Sequence, residues 1–263
     1  SYDSQMARGP ILHADADAFF ASVVMRHRPE LRQIPMAVVV HLVVGSANYP
    51  ARALGVKGGM LVQEALHHCP QLVLIDVPRS EVEDVSDELF TIFNEVAEKV
   101  EPGSMEEGFL DVGATSWDDA IASATALRQR TEHQLGITVS VGIGRTKLMA
   151  KLGSRAAKPD GLHVIGADEE ARLRSDLPIG DVWGIGGTSR KRLEQLGVNT
   201  LADVDGIPAD RLRRVCGTGM ARRLTSIREG TDDAVVRGMN ERQSLTAEVA
   251  TSGYERRDWS VDE

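Results

Sequence analysis

The feature that most constrains this chain is a short apolar strand ending in carboxylates, ILHADAD at residues 11–17. Asp15 and Asp17 close it, and a second acidic pair, Glu106 and Glu107, follows a Pro102-Gly103 turn much later. Carboxylates beside core strands are costly unless they are paired or hold a cation. Converging acids repel one another, and a hard divalent cation such as Mg²⁺ relieves that repulsion. Two such ions in one site can clamp the attacking and leaving oxygens of a phosphoryl transfer. Neighbours on a regular strand point to opposite faces, so Glu106 and Glu107 share a site only if the chain bends there. Acids at strand ends are otherwise ordinary solvated residues, so the rest of the chain must decide.

The flanking pattern predicts a helix over 18–27, strands at 36–40 and 42–46, short helices at 50–54 and 61–68, and a strand at 72–76. Almost nothing turns the chain between 40 and 42, which implies either a very tight hairpin or a loop missing from the sequence. Val85, Leu89, Ile92, Phe93 and Val96 have helical spacing, extending a helix over 82–100. Glu101-Pro102-Gly103 then turns the chain into a strand at 104–112. A helix at 120–135, a strand at 138–143, a helix at 146–156 and a strand at 162–165 follow. With segment 21–77 set aside as an insertion, the expected order is β-α-β-β-α-β, a ferredoxin-like α+β arrangement. Beyond residue 169 short helices joined by glycine turns suggest a separate small domain. A chain of 263 residues can bury one sizeable core and a smaller second one.

Charge is distributed unevenly. Residues 1–140 carry a balance of −10, whereas 141–263 carry +1. Two windows in the second half are basic: Arg145, Lys147, Lys151, Arg155 and Lys158, then Arg211, Arg213, Arg214, Arg222 and Arg223. Such clusters suit a phosphate backbone, and equally suit two solvated helix faces. The longest apolar run, 36–45, is broken by His41 and is too short to cross a bilayer. Cys69 and Cys216 cannot build a disulfide framework, so a reducing cytoplasm is expected. His67, His68 and Cys69 are adjacent on a helix, where neighbours diverge, and read as helix-end packing rather than a metal site.

Five motifs then resemble, in order, those of Y-family DNA polymerases, most closely the DinB or DNA polymerase IV branch of translesion enzymes. HADADAFFASV at 13–23 resembles the family's opening motif, and ANYPAR at 47–52 with GVKGGM at 55–60 its fingers motif. SMEEGFLD at 104–111 resembles the second catalytic motif. VGIG at 141–144, Lys147, Ala150-Lys151 and KPDG at 158–161 resemble the third block, and VWGIG at 182–186 with Leu196-Gly197 the thumb. The likeness runs from about residue 10 to 235.

The resemblance implies a ferredoxin-like palm (1–20 and 78–167), an inserted fingers domain (21–77) and an all-α helix-hairpin-helix thumb (168–235). Residues 236–263 would form a linker toward a fourth, DNA-gripping domain that the sequence lacks. It implies that Asp15, Glu106 and Glu107 are catalytic and bind metal together with the Ala16 carbonyl. Two Mg²⁺ ions would be held, with Mn²⁺ tolerated better. Tyr49, Arg52 and Lys158 would grip the triphosphate, with Phe19 and Ser46 beside them. Phe20 would lie against the sugar and exclude a 2′-hydroxyl. Gly184, Ile185 and Gly186 would bring backbone N–H groups to a DNA phosphate, reading no bases. Trp183 reads as a core aromatic at the palm–thumb junction.

The implied activity is template-directed transfer from a dNTP to a primer, by a monomer, on primer–template DNA. A replication sliding clamp would engage a region outside this sequence. Glu106 stands where the family carries Asp, and its extra methylene moves the carboxylate by roughly 1.5 Å, enough to disturb octahedral Mg²⁺. That departure favours the alternative, a polymerase-derived module that binds DNA or protein without efficient chemistry. Thr146 replaces the family's Asn, and the first ten residues are expected to be partly foreign to the natural chain.

Overall fold

The computed structural model describes residues 9–238. Its centre is a five-stranded sheet of β1 (Ile11–Ala16), β5 (Lys99–Pro102), β6 (Glu107–Asp111), β7 (Val139–Gly144) and β8 (Leu162–Val164), ordered β5-β6-β1-β7-β8. Strand β1 is the middle member, antiparallel to β6 and β7. Its alternate residues Leu12, Ala14 and Ala16 face a core shared with α4 (Arg79–Val96) and α5 (Trp117–Leu135). Helix α4 supplies Val85, Leu89 and Phe93, all buried, at the spacing that predicted it.

The β-α-β-β-α-β order is therefore present, but with a different cast from the expected one. It is made by β1, α4, β5, β6, α5 and β7. The strand expected to close it, at 162–165, is an added fifth strand lying parallel to β7. The helix expected over 82–100 stops at Val96, and Lys99–Pro102 is a strand. Val100 satisfies both readings, since it falls four residues after Val96 and alternates with exposed Lys99 on an edge strand. Pairing of Lys99–Pro102 with Asp111–Gly108 decides the matter. The turn consequently falls after Gly103, whose N–H, like that of Ser104, donates to the Glu107 carbonyl.

Helix α6 (Lys147–Ala157) covers the other face of the sheet. It lies so close that a Cβ on Gly142 would come within 2.0 Å of the Ala150 carbonyl oxygen, so only glycine permits this contact. Thr146, the departure from the family's Asn, is the N-cap of α6, its hydroxyl accepting from the Met149 N–H. The opposite side of α6 contributes Leu148 and Met149 to a second core. That core is filled by Leu193, Leu212, Leu224 and Ile227 from the helices that follow, α7 (Ala167–Asp176), α8 (Gly187–Gln195), α9 (Ala209–Cys216) and α10 (Thr218–Glu229), and by Val198 and Leu201 from the segment between α8 and α9.

Between β1 and α4 the chain forms α1 (Phe19–His27) and a three-stranded sheet ordered β3-β2-β4, from β2 (Met36–Val40), β3 (Val43–Ala47) and β4 (Val73–Asp76). Helices α2 (Tyr49–Ala53) and α3 (Val62–His68) pack with it around Val44, Ala51, Val56 and Ala65. The β2–β3 hairpin is the tight one: Val40 pairs with Val43, and His41 takes a left-handed φ of 57°. Asn48 caps α2 and accepts the Met36 N–H, which seats the helix against this sheet. The first eight residues and the expected linker beyond 238 lie outside the described residues.

Candidate active site

Strand β1 ends at the mouth of a pocket of about 130 Å³ between the two sheets. Asp15, Ala16 and Glu106 line one wall, and Phe19, Phe20, Gly45, Ser46 and Arg52 the other, with Lys158 between them. The Lys158 ammonium lies 2.7 Å from Asp15 Oδ1 and 3.2 Å from the Ala16 carbonyl oxygen. These two oxygens thus converge on a single cation-sized point. Glu106 is placed by the turn: its carbonyl accepts the Ala16 N–H, which ties the acidic turn to the end of β1. Burial, with the like charges of Asp15 and Glu107, pushes its carboxyl above the usual range despite a hydrogen bond from Ser104.

The opposite wall comes from α1, β3 and α2. The Ser46 hydroxyl and the Tyr49 hydroxyl are both buried without a hydrogen-bond partner, but Tyr49, although expected in this pocket, lines a neighbouring hollow with Asp17 and Thr138. Burial and then the Asp17 charge push the Tyr49 phenol up to about 12, so it remains a donor. Arg52 stacks over the Tyr49 ring at 5.3 Å and donates through Nε to the Ala47 carbonyl, which leaves the fork of the guanidinium exposed. Phe20 rests against Gly45, where an added Cβ would approach the ring to 3.0 Å.

Two of the acids behave differently from the rest. Asp17 does not join the pocket. It is buried and held by the hydroxyls of Thr138 and Ser140 and by the Asp160 N–H, so it braces β1 against β7. Glu107 stands directly across from Asp15 in the β1–β6 register, yet its carboxylate turns to Lys151 Nζ at 2.6 and 2.7 Å. His13 Nε2 lies 3.3 Å away on the same carboxylate. The reading of the sequence passed over the roles of His13 and Lys151. The signal for His13 was its position two residues before Asp15, which on a strand means the same face.

The impB/mucB/samB family profile matches residues 14–155, and so takes in the end of β1, the acidic turn and most of α6. The chain belongs to the impB/mucB/samB family. It is 35% identical to a DNA polymerase IV of Desulfatibacillum aliphaticivorans over 98% of this chain and 65% of that protein. A DNA polymerase IV of Pseudomonas savastanoi pv. phaseolicola is 35% identical over 92% and 70%. The DNA repair protein REV1 of Arabidopsis thaliana is 36% identical over 94% of the chain but only 23% of its own length. The fold matches DinB from Sulfolobus solfataricus with a TM-score of 0.79 at 29% identity, covering 86% of this chain and 69% of that one. An insertion ternary complex of Dbh DNA polymerase matches at 0.81 and 29% identity, covering 86% and 69%. These likenesses identify a DinB-like Y-family catalytic core, spanning about two thirds of the length of its polymerase IV relatives.

In this impB/mucB/samB chain the donors at the end of β1 suit a hard divalent cation, since Asp15, the Ala16 carbonyl and Glu106 offer only oxygen. The ammonium of Lys158 already marks where such an ion fits. No group of three or more His, Cys, Asp or Glu side chains closes on one point among the described residues. Glu107, the further acid the family would supply, is taken by Lys151.

Gly184 has a left-handed φ of 86°, and Gly186 is the N-cap of α8, so the GIG turn leads straight into a helix N-terminus. Beside it is a hollow of about 520 Å³ lined by Lys147, Trp183, Gly184, Gly219, Arg222 and Arg223. Trp183, expected in the core, is instead 42% exposed. It lies between Phe109 and Arg223, with Lys151 also over its ring, so it is a platform between cations rather than filling. His67, His68 and Cys69 close α3, with His67 and His68 exposed and Cys69 buried. Among the described residues no helix is long and apolar enough to cross a membrane.

Proposed function

We propose that this chain is the catalytic core of a template-directed DNA polymerase that transfers a nucleotide from a dNTP to a primer 3′-hydroxyl during synthesis past damaged DNA. One observation carries the reading. A single pocket sets oxygen donors for a cation (Asp15, the Ala16 carbonyl, Glu106) beside anion donors (Arg52, Ser46, Lys158), with Phe20 also in its lining. Its volume suits the triphosphate end of a nucleotide, whereas whole-ligand sites are about 300 Å³ or more, so base and sugar would lie in the open cleft.

Arg52 and Lys158 would neutralise and orient the phosphates, and the hydroxyls of Ser46 and Tyr49 would donate to them. Lys158 must leave Asp15 to do so, which frees the carboxylate for a cation. Divalent cations, proposed to be two Mg²⁺ ions, would supply Lewis-acid activation of the primer hydroxyl and of the leaving group. Asp15, Glu106, Glu107 and the Ala16 carbonyl would hold them. Phe20 and Phe19 would floor the sugar site, and the GIG turn with Arg222 and Arg223 would hold the DNA backbone. The palm, fingers and thumb are assigned to 1–20 with 78–167, 21–77 and 168–235; three apolar clusters support the division, although Leu148, Met149 and Ile165 of the first range pack into the cluster of the last. Two free cysteines support a reducing cytoplasm, and a monomer and a sliding-clamp partner complete the proposal.

The test is single-nucleotide primer extension under Mg²⁺ and Mn²⁺ by the parent chain and by Glu106→Asp and Glu107→Ala. The parent is expected to extend primers, relatively better with Mn²⁺. Glu106→Asp should raise kcat with Mg²⁺ more than it changes dNTP affinity, the mark of a contact made in the transition state. Glu107→Ala should lose activity. No gain from the first and no loss from the second would remove these carboxylates from the reaction and leave a DNA-binding module.

A further inference from the structure

Glu107 is aligned for the cation site and yet is not in it. Its backbone pairs residue for residue with Asp15, so both side chains leave the same face of the sheet. The Glu107 carboxylate is nevertheless gripped at both oxygens by Lys151 from α6, in a pair whose side chains are each 18% exposed.

The second grip comes from His13. Its ring is fully buried against Phe109, and its Nδ1 lies 2.7 Å from the Ser154 hydroxyl. The Ser154 hydroxyl in turn donates to the Lys151 carbonyl, so the imidazole, the serine and the lysine backbone form one chain of contacts. Ser154 and Lys151 lie one turn apart on α6, so the same helix that carries Lys151 also sets the imidazole. His13 is thereby a positioning residue.

Lys151 has a second partner. Its ammonium is 5.1 Å from the centre of the Trp183 ring, which also carries Arg223. Trp183 borders the basic hollow and begins the GIG turn. An ammonium leaving Glu107 would therefore keep a cation–π contact, and could meet an anion entering the hollow.

We propose that Lys151 is a resident counter-cation that holds Glu107 out of the metal site until a divalent ion displaces it, leaving the ammonium on the Trp183 ring that it already faces. The inference rests on the metal-site reading above. A divalent ion beside Asp15 must compete with this ammonium for Glu107, and the partly buried setting makes the competition costly to ignore. The same exchange links metal arrival in the palm to the hairpin that carries Trp183. Lys158 on Asp15 plays the parallel part at the first carboxylate.

The experiment measures Mn²⁺ binding to the purified chain by electron paramagnetic resonance, without DNA or nucleotide. It compares the parent, Lys151→Met and Lys151→Arg. Lys151→Met is expected to bind Mn²⁺ about tenfold more tightly, the order expected when a competing ion pair is removed. Lys151→Arg, which retains the charge, should bind no more tightly than the parent. In a chain with Trp117→Phe and Trp259→Phe, which leaves Trp183 as the sole tryptophan, Mg²⁺ should shift the emission with Lys151 present and not with Met in its place. Equal or weaker Mn²⁺ binding by Lys151→Met overturns the proposal and leaves the metal site standing. So does tightening by Lys151→Arg as well. Absence of Mn²⁺ binding in all three chains overturns the metal-site reading and the counter-cation together.

Discussion

Single side chains at the pocket carry separable tasks. Phe20 lies on the wall that would meet the sugar, and its ring is accommodated because residue 45 has no side chain. Phe20→Ala should lower discrimination against ribonucleotides by one to two orders of magnitude, since removing such steric exclusion is worth about 1–3 kcal/mol. The ratio of kcat/KM for dNTP and rNTP in a variant that still extends primers measures it, and an unchanged ratio would make Phe20 a packing residue. Tyr49 offers a pH test. Its phenol is raised to about 12 in the folded chain, while an unfolded chain ionises near the ordinary value of about 10. The folded state then binds the proton more tightly, so stability should fall as pH rises from the ordinary tyrosine range toward about 12. Ultraviolet titration should show one tyrosine ionising late, and Tyr49→Phe should abolish that late step. Three tyrosines in the sequence keep the count readable.

Helix α6 does several jobs at the scale of elements. It seats on the sheet at Gly142, contributes Leu148 and Met149 to the second core, and delivers Lys151 and Ser154 to the Glu107 site. Gly142→Ala would place a methyl against backbone of α6 that has no rotamer to escape into. It should destabilise the chain by about 2–4 kcal/mol, as overpacking does when only backbone can yield. Chemical denaturation should show a lower midpoint than that of the parent. A midpoint like that of the parent would mean that α6 can lift from the sheet freely.

Across the whole molecule, ion pairs join the central sheet and α6 to the helices that follow. Lys147 holds both oxygens of Glu101 and reaches Asp233, and Arg145 pairs with Glu170, whereas Arg174 with Glu170 and Asp232 closes a group within the helical part. Some of the basic residues counted in the sequence are thus spent inside the fold. Arg222 and Arg223 of α10 instead line the open hollow. DNA binding by this chain is expected to be sequence-independent and steeply salt-dependent, with a log–log slope of about −0.9 for each phosphate neutralised on duplex DNA. Replacing Arg222 and Arg223 by Ala together should flatten the slope by about two such increments and weaken binding evenly across sequences. A slope near zero in the parent would count against backbone contacts.

Much of this protein followed from local chemistry that a sequence carries openly. The helix at Val85–Phe93 and the strand that ends in Asp15 follow from apolar periodicity, and the family from five motifs in order. Position along the chain also singled out Asp15, Ser46, Arg52 and Lys158, which line one pocket, because motifs preserve spacing. Other features depended on contacts between distant segments. Val100 fits a helix and a strand equally well, and only the partner strand at Gly108–Asp111 chooses between them. Sequence can show that Glu106 and Glu107 are adjacent, but not that one lines the pocket while the other is held by Lys151 and His13. That division is set by α6 lying on the sheet, and burial energy depends on which surfaces meet, not on the order in which residues are joined.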